Sequence, residues 1–386
     1  MHELTVKLAA WLWPIFALPT ISGCIYALFA AELLRRFAQK MPNSLPSSQD
    51  LTILKPLCGG ESELETNLAT FCNQDYSGRI QLIFGVQDPA DTAGTTVNRL
   101  RERFPDHDIE FVANPNVHGS NLKISNLVNV LPYARHDILV VSDSDIRVEP
   151  EYLREVVSGL SAPGTGLVTC LYRGIPVAGL WSSLSAAATN QHFLPSVLVG
   201  LKLGLARPCF GSTIALRAAT LHHIGGFLAF SDRLADDYAI GIAVRGLGLR
   251  VAISRLLVGH ICSEENFGEL LSHELRWART IRSIDPWGYA GLVVTNPLPL
   301  ALVAAALQGF GAAALGLVAL TLACRLLVSI QVGTMQDGSG RSVPLWLSPL
   351  RDLLSFAIFL ASFVPLPVIW RGHEYELHSD GTLTPS

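Results

Sequence analysis

Two kinds of hydrophobic pattern divide the chain. Residues 8–30 form an apolar run without a charged side chain, and residues 298–330 are mostly apolar, with Gln308 and Arg325 as the most polar interruptions. Apolar runs of about 20 residues can cross the roughly 30 Å hydrocarbon core of a bilayer as helices. Between them, residues 51–285 carry short apolar runs that alternate with polar stretches. The pattern therefore predicts membrane helices towards both ends and a water-exposed domain between them.

The N-terminal run is predicted to be a retained membrane anchor. A cleaved signal peptide is the alternative, but only Lys7 marks a basic n-region, the apolar run is too long, and charged residues follow it. The basic residues that follow the run are Arg35, Arg36 and Lys40. By the positive-inside rule they place the following residues in the cytoplasm. A polar linker rich in Pro and Ser then occupies residues 42–50.

The C-terminal apolar region has two interpretations. Gly309 and Gly311 lie near the middle of residues 298–330 and favour two spans joined by a tight turn, whereas one long tilted helix is the alternative. A further span is predicted over residues 353–370, with Trp370 as an interfacial anchor.

A shorter apolar segment lies inside the middle region. Residues 193–206 are interrupted by Lys202 and are short for a span. They are predicted to form an interfacial or re-entrant element, and a buried core helix is the alternative.

The middle region has the alternation of an α/β domain. Its strand candidates are "LTILKPL", "IQLIFGVQD", "DIEFVANP", "DILVVSDSD" and "TGLVTCLYR". Strands alternating with helical stretches indicate a sheet with a parallel core. The predicted organisation is an anchor with its basic flank (1–45), a catalytic α/β domain (46–288), and C-terminal membrane helices with a short tail (289–386).

Two carboxylates follow the apolar run 138–141. Asp143 and Asp145 are two residues apart, so in a strand they point to the same face. Like charges this close raise each other's pKa unless a cation lies between them. A solvated turn with a helix N-cap is the alternative explanation. The spacing therefore predicts either a cation site or a solvated turn at this position.

Three further aspartates are candidate site residues. Asp88 ends the run "IQLIFGVQD", and Asp236 and Asp237 lie in "RLADDYAIG". Ligands of open α/β sheets bind outside the carboxyl ends of the strands, so Asp88, Asp143 and Asp145 are expected to face one crevice.

A basic face is predicted on the segment "SHELRWARTIRSIDPW". Arg276, Arg279 and Arg282 recur every three residues on a predicted helix, and Trp277 lies beside the first of them. Arginine side chains grip phosphate oxygens well. A juxtamembrane helix that contacts anionic lipid is the alternative.

Composition narrows the function classes. The 386 residues are 49% hydrophobic and only 16% charged, against about 25% charged in an average soluble domain. The formal net charge of −4 gives no overall basic field for nucleic acid. Seven cysteines without a C-x-x-C pair indicate neither a zinc site nor a disulfide framework, and are expected to stay reduced in the cytoplasm.

Together these motifs resemble the ceramide glucosyltransferase family, whose members are GT-A (family 2-type, family 21) glycosyltransferases. The resemblance covers nearly the whole chain and includes "ILKPLCG", "LATFCNQDY", "GVQDPAD", "DSDIRV", "GGFLAFSDRLADDY" and "WRGHEYEL". The family motif (Q/R)-x-x-R-W reads His273 to Trp277 here, so its first position departs from the pattern. Within the family, "LVTCLYRGIP" and "HELRWARTIRSIDPWGYAG" are most similar to a bacterial branch associated with hopanoid biosynthesis.

The resemblance implies a Rossmann-like GT-A domain flanked by transmembrane helices, and an inverting transfer of one sugar to a lipid hydroxyl. The hopanoid branch implies UDP-GlcNAc as donor and a hopanoid polyol such as bacteriohopanetetrol as acceptor. UDP-glucose and ceramide are the first alternative. A processive polysaccharide synthase is a further one, disfavoured by the few spans after the catalytic domain. A non-catalytic scaffold is disfavoured because the carboxylates are all present.

The resemblance also implies residue roles. Asp145, with help from Asp143, would hold a divalent cation, Mg²⁺ or Mn²⁺. Asp237 would be the base and Asp236 its orienting neighbour, and His192 would lie near the acceptor. Donor binding is assigned to Lys55, Pro56, Asp88, Lys123, Asp143, His273, Arg276 and Trp277. The expected partners are a UDP-sugar and a membrane lipid, with no nucleic acid and no obligate protein partner. The expected location is the inner membrane of a bacterium, multi-pass, with the catalytic domain facing the cytoplasm.

Overall fold

The computed structural model describes residues 2–39, 48–335, 343–364, 368–370, 373–377 and 382–385. The chain divides into two compact units. The helical unit comprises Met1–Lys40, Gly174–Arg207 and Cys262–Gly372. The sheet unit comprises Met41–Arg173, Pro208–Ile261 and His373–Ser386. Both units are therefore built from segments that are distant in the sequence.

Eight strands of the described chain form one sheet, in the order β3-β2-β1-β4-β7-β6-β8-β5. They are β1 (Leu51–Pro56), β2 (Ile80–Val86), β3 (Asp108–Ala113), β4 (Ile138–Val141), β5 (Ile146–Arg147), β6 (Thr165–Pro176), β7 (Ile214–Arg217) and β8 (Arg250–Cys262). The short strands β9 (Val368–Trp370), β10 (His373–Leu377) and β11 (Leu383–Pro385) lie near the C-terminus. Of these, β10 and β11 pair antiparallel.

The sheet is mixed rather than wholly parallel. Strands β3, β2, β1 and β4 run parallel, which confirms the predicted parallel core. Strand β7 pairs antiparallel with both β4 and β6, and β5 pairs antiparallel with β8. Leu54 is paired with Val141, so β1 and β4 end at the same edge of the sheet. The polar residues that follow β4 therefore emerge beside the end of β1.

Helices of the sheet unit cover this sheet. They are α2 (Leu64–Cys72), α3 (Ala93–Arg103), α4 (Leu122–Val130), α5 (Tyr152–Leu160), α8 (Ala218–His223) and α9 (Asp236–Gly246). Ile124 and Leu127 of α4 pack in one buried cluster with Leu54 of β1 and Val141 of β4. Every residue of β4 is buried, as expected for a strand covered on both faces. This core fixes the strand ends from which the site is built.

The helical unit contains the remaining helices. They are α1 (His2–Ala38), α6 (Gly179–Ala188), α7 (Leu194–Leu203), α10 (Phe267–Ile284), α11 (Pro286–Gly291), α12 (Pro297–Leu307), α13 (Ala312–Gly333) and α14 (Ser348–Ala361). A π-helical turn, Thr189–Phe193, joins α6 to α7.

Two helices of the described chain are long and apolar enough to cross a membrane, Leu12–Ala38 within α1 and Ala312–Gly333. A bent pair, Pro286–Thr295 and Pro297–Leu307 at 63°, would make a third if it acts as one span. The break between α12 and α13 excludes one continuous helix over residues 298–330. The two predicted spans are found only in part, because α12 has 11 residues and reaches the length of a span only together with Pro286–Thr295. Gly309 and Phe310 both have positive φ there, 58° and 59°, which ends the first helix.

The predicted span over residues 353–370 is wrong in its extent. Helix α14 has 14 residues and ends at Ala361, and Val368–Trp370 is a strand. Residues 365–367 lie outside the described part of the chain.

The segment 193–206 is also shorter than a span: α7 has 10 residues, with Leu194 and Leu198 buried and Leu203 exposed. Its interfacial position stays a prediction.

Buried charge pairs join helices of the helical unit. Arg325 of α13 donates from Nε to Asp352 Oδ2 of α14 over 2.8 Å, and both side chains are buried. Arg351 donates from Nη1 and Nη2 to the two carboxylate oxygens of Glu274 on α10, over 2.7 and 2.8 Å. Removing one partner of such a pair leaves an uncompensated buried charge, so these contacts fix how the helices pack.

Candidate active site

The D-S-D turn is fixed by backbone contacts on both sides. The Asp143 N–H donates to the carbonyl of Gly211 over 3.3 Å, and the Ile261 N–H donates to the carbonyl of Asp145 over 2.9 Å. Strand β5 begins at Ile146 and pairs with β8. The two carboxylates lie at the edge where β1 and β4 end, but in a turn after β4. The prediction that they share one face of a strand is therefore wrong, because β4 ends at Val141.

A buried lysine supports this turn from inside the protein. Lys55 of β1 is fully buried, and its Nζ donates to the Asp143 carbonyl over 2.8 Å and lies 3.6 Å from the ring centre of Phe71. Burial lowers the pKa of Lys55 to about 7. Lys55 was predicted to contact the nucleotide, but its observed contacts are with the turn.

Lys123 lies between the two acidic motifs. Its Nζ is 2.7 Å from Asp143 Oδ1 and 3.3 Å from Asp236 Oδ2. Burial opposes the charge on this amine, but Asp143, Asp236 and Asp237 together raise the pKa of Lys123 above its ordinary value. Burial raises the pKa of Asp143 and Lys123 opposes that rise. The positive charge of Lys123 therefore offsets part of the repulsion between the carboxylates of Asp143 and Asp236.

The two carboxylates of the D-D pair have different environments. Asp236 is buried and accepts from Asn121 Nδ2 over 3.2 Å. Asp237 is partly exposed, and each of its oxygens accepts a backbone N–H, from Gly211 over 2.8 Å and from Tyr238 over 2.7 Å. Burial, and then the charge of Asp236, raise the pKa of Asp237 to about 6. Asp237 thus has a fixed orientation and a pKa close to neutrality, which are properties of a general base.

Gly211 makes this arrangement possible. A Cβ at this position would lie 2.6 Å from Asp143 Oδ2 and 2.8 Å from Lys123 Nζ. Any larger residue would therefore displace the side chains of Asp143 and Lys123. The Gly211 backbone accepts from the Asp143 N–H and donates to Asp237, so it also joins the two acidic motifs.

His260 of β8 is a site residue that the sequence reasoning missed. Its Nε2 lies 3.2 Å from Asp145 Oδ2. This is the distance of an ion pair or hydrogen bond between an imidazole and a carboxylate, and it places two possible metal ligands side by side. Carboxylate and imidazole are both suitable donors for first-row divalent metals. No group of three His, Cys, Asp or Glu side chains has metal-site geometry within the described residues.

The edge near β2 also carries acidic side chains. Asp88 is exposed in the turn after β2, where its Oδ1 accepts from the Ala90 N–H over 2.8 Å. Asp91, which the sequence reasoning did not single out, accepts from the Gly59 N–H over 2.9 Å and so holds the loop after β1. Pro56 is the last residue of β1. The structure thus brings Asp88 and Pro56 to the predicted strand ends.

The remaining predicted residues belong to the helical unit. His273, Arg276 and Trp277 lie on α10, and the rings of His273 and Trp277 are 4.6 Å apart. His192 lies in the π-helical turn, with its Nε2 2.9 Å from Asp352 Oδ1. Its predicted role toward a lipid acceptor stays a prediction.

Comparison with known proteins identifies the class and then the family. A mannosyltransferase, PcManGT from Pyrobaculum calidifontis in complex with GDP-Man and Mn²⁺, matches with a TM-score of 0.50 and 19% identity, over 91% of this chain and 97% of that chain. This confirms the predicted GT-A glycosyltransferase fold. The model of glycosyl transferase family 21 matches residues 15–383, so the chain belongs to that family.

Two ceramide glucosyltransferases from Caenorhabditis elegans are similar to this chain over most of its length. Ceramide glucosyltransferase 1 is 23% identical, over 96% of this chain and 82% of the relative. Ceramide glucosyltransferase 3 is 22% identical, over 94% of this chain and 79% of the relative. The predicted family is confirmed, and the chain is an enzyme of the glycosyltransferase class. The predicted hopanoid branch gains no support from these relatives, and the ceramide alternative fits them better.

Proposed function

We propose that this enzyme transfers one hexose from a UDP-sugar to a hydroxyl group of a ceramide-like lipid. The family membership and the relatives' names support the acceptor and the donor class. The observation that carries the proposal is the joint placement of Asp143, Lys123, Asp236 and Asp237 at one edge of the sheet. UDP-glucose is the first donor to test.

Asp237 is the proposed base. The lipid hydroxyl gives its proton to the Asp237 carboxylate as its oxygen forms a bond to the anomeric carbon. The bond from that carbon to the diphosphate breaks at the same time, and UDP leaves with the electron pair. Asp236, held by Asn121 and Lys123, keeps its neighbour oriented. The pKa of Asp237, about 6, leaves its carboxylate ionised near neutral pH and still able to take a proton.

Asp145 and His260 are the proposed ligands of a divalent cation, Mg²⁺ or Mn²⁺, with Asp143 beside them. When bound, the cation neutralises the charge that develops on the diphosphate leaving group. The support is the 3.2 Å separation of Asp145 Oδ2 and His260 Nε2. Lys123 keeps Asp143 in place for this arrangement through its 2.7 Å ion pair.

The remaining assignments are proposals of the same kind. Asp88 and Pro56 are on the nucleotide side, Lys55 acts through the D-S-D turn, and the α10 residues His273, Arg276 and Trp277 bind the donor. His192 is on the acceptor side. The proposed location is the cytoplasmic membrane of a bacterium, with the sheet unit in the cytoplasm where nucleotide sugars are made.

The test uses membranes that contain the full-length protein. They are incubated with UDP-glucose or UDP-GlcNAc, each with ceramide or bacteriohopanetetrol, and the products are identified by mass spectrometry. Membranes with the Asp237→Asn variant are the control. Glucosylceramide formed only with the wild type supports the proposal. A product only from UDP-GlcNAc and bacteriohopanetetrol would replace it with the hopanoid alternative, and a polymeric product would indicate a processive synthase.

A further inference from the structure

A buried glutamate contacts the histidine at the start of the His273–Trp277 motif. Glu264 lies in the loop between β8 and α10, and its Oε1 is 2.6 Å from His273 Nδ1. The same oxygen accepts from Ser185 Oγ of α6 over 2.9 Å. The Glu264 side chain is only 8% exposed, whereas that of His273 is 22% exposed. The contact is thus formed by three different segments of the helical unit.

The loop that carries Glu264 is anchored at both ends. Before it, Ser182 Oγ donates to the Cys262 carbonyl over 2.6 Å. After it, Asn266 caps α10 by accepting from the Glu269 N–H over 3.0 Å, and its Nδ2 donates to Glu269 Oε1 over 2.6 Å. Such a cap fixes the path of the chain into the helix. The position of Glu264 relative to α10 is therefore set before any ligand binds.

This contact determines the state of the His273 ring. Burial acts to raise the pKa of Glu264, but the hydrogen bond and charge of His273 outweigh it and lower that pKa. An ionised carboxylate only accepts hydrogen bonds, so Nδ1 of His273 must carry a proton. The second ring nitrogen, Nε2, then lies on the side of the ring opposite to Glu264. Hydrogen bonding of one ring nitrogen to a carboxylate is a general way to orient a functional histidine.

The neighbours of His273 indicate the ligand. Arg276 lies three residues later, on the same side of α10, and the ring of Trp277 packs edge-on against His273 at 4.6 Å. A phosphate oxygen only accepts hydrogen bonds, so Nε2 must also carry a proton to bind one, and the imidazole and the guanidinium would then form a pair of cationic donors. The Glu264 carboxylate, 2.6 Å from Nδ1, lies where it would offset a positive charge on this ring.

We propose that Glu264, assisted by Ser185, is a positioning residue that holds His273 so that Nε2 donates to a phosphate oxygen of the nucleotide. The inference rests on the proposed function, because the nucleotide sugar supplies that phosphate. His273 then binds the donor directly, and Glu264 acts only through it. Replacing Glu264 should matter only while the histidine is present.

A double-mutant cycle on UDP binding tests this. The purified full-length protein in detergent with Mn²⁺ is titrated with UDP, and the Kd is measured for wild type, Glu264→Gln, His273→Ala and the double variant. Glu265→Gln is the matched control, because this neighbouring side chain is exposed. We expect the Kd to rise about 10-fold or more in either single variant, in the range known for residues that orient a histidine ligand. The double variant should bind like His273→Ala alone.

Two results would overturn the inference. One is a Glu264→Gln variant that binds UDP as tightly as Glu265→Gln. The other is a double variant whose loss equals the product of the two single losses, since Glu264 would then act independently of His273. Sugar transfer is measured separately on the same preparations. If the Kd values follow the expected cycle but no sugar is transferred, only the proposed acceptor chemistry is refuted. If sugar is transferred but the two losses in UDP affinity multiply, only this inference is refuted.

Discussion

The replacement of Asp237 by Asn tests the proposed base most directly. Each carboxylate oxygen accepts one backbone N–H, from Gly211 and from Tyr238. An Asn side chain keeps the size but has one acceptor oxygen, so one of these N–H groups must face an NH₂ group. We expect turnover to fall by about 10²–10⁴-fold, the usual contribution of a positioned acid–base group. The unpaired N–H should also reduce the free energy of unfolding by about 1–3 kcal/mol.

The turnover of the wild-type enzyme should depend on pH as Asp237 titrates. With the pKa of Asp237 at about 6, the carboxylate is about half ionised at pH 6 and about one-tenth ionised at pH 5. Turnover should therefore fall about tenfold per pH unit below 6. The effect on stability has the opposite sign. The pKa is raised from 3.8, so this group favours the fold fully at low pH and loses that contribution as pH rises through about 6.

The assay is steady-state transfer from pH 4.5 to 8, with thermal unfolding of each variant as the control for folding. A loss of chemistry should lower kcat and leave the KM for the donor little changed. Asp236→Asn is the internal comparison and should be milder, because that residue only orients its neighbour. Wild-type turnover by Asp237→Asn would refute the reasoning. An inactive Asp236→Asn beside an active Asp237→Asn would reverse the assignment within the pair.

Three further predictions concern the groups around this base. Lys123→Met should lower the unfolding temperature in detergent and abolish transfer, because it leaves buried carboxylates uncompensated, whereas Lys123→Arg should retain part of both. Gly211→Ala should abolish transfer, since its Cβ would lie 2.6 Å from Asp143 Oδ2, while Gly246→Ala, with nothing within 4 Å of its Cβ, should be active. His260→Ala should raise the Mn²⁺ concentration for half-maximal activity about 10-fold or more, and an unchanged Mn²⁺ titration would exclude His260 as a ligand.

The sequence predicted the parallel half of the sheet better than its antiparallel half. Strand β4 is short, wholly apolar and followed by acidic residues, which is a strong local signal. Strand β7 has only four residues, and β8 includes Arg250, Ser254 and Arg255 within its span, so neither has a clear hydrophobic period. Their pairing depends on contacts between distant parts of the chain. Strands β7 and β8 could therefore not be read from local patterns, whereas β6 was predicted from the run "TGLVTCLYR".

The residues of the candidate site also differ in how well the sequence predicted them. The acidic residues at strand ends were predictable, because their position follows from the direction of parallel strands. The partner of Asp145 was not, because His260 is a single histidine in β8 that only the pairing of β5 with β8 brings close. Lys123 was predicted as a nucleotide or phosphate contact, but it pairs with Asp143 after β4 and with Asp236 at the start of α9. Pairings between distant side chains need the three-dimensional arrangement.

The Arg325–Asp352 pair has a consequence for how the protein is made. Arg325 lies near the middle of α13, and its partner comes 27 residues later in the chain. An arginine at the centre of a membrane helix costs about 2.5–3.5 kcal/mol on insertion scales. During synthesis, α13 emerges before the aspartate that neutralises it. The charge of Arg325 is therefore not neutralised until α14, which carries Asp352, has been made and has packed against α13.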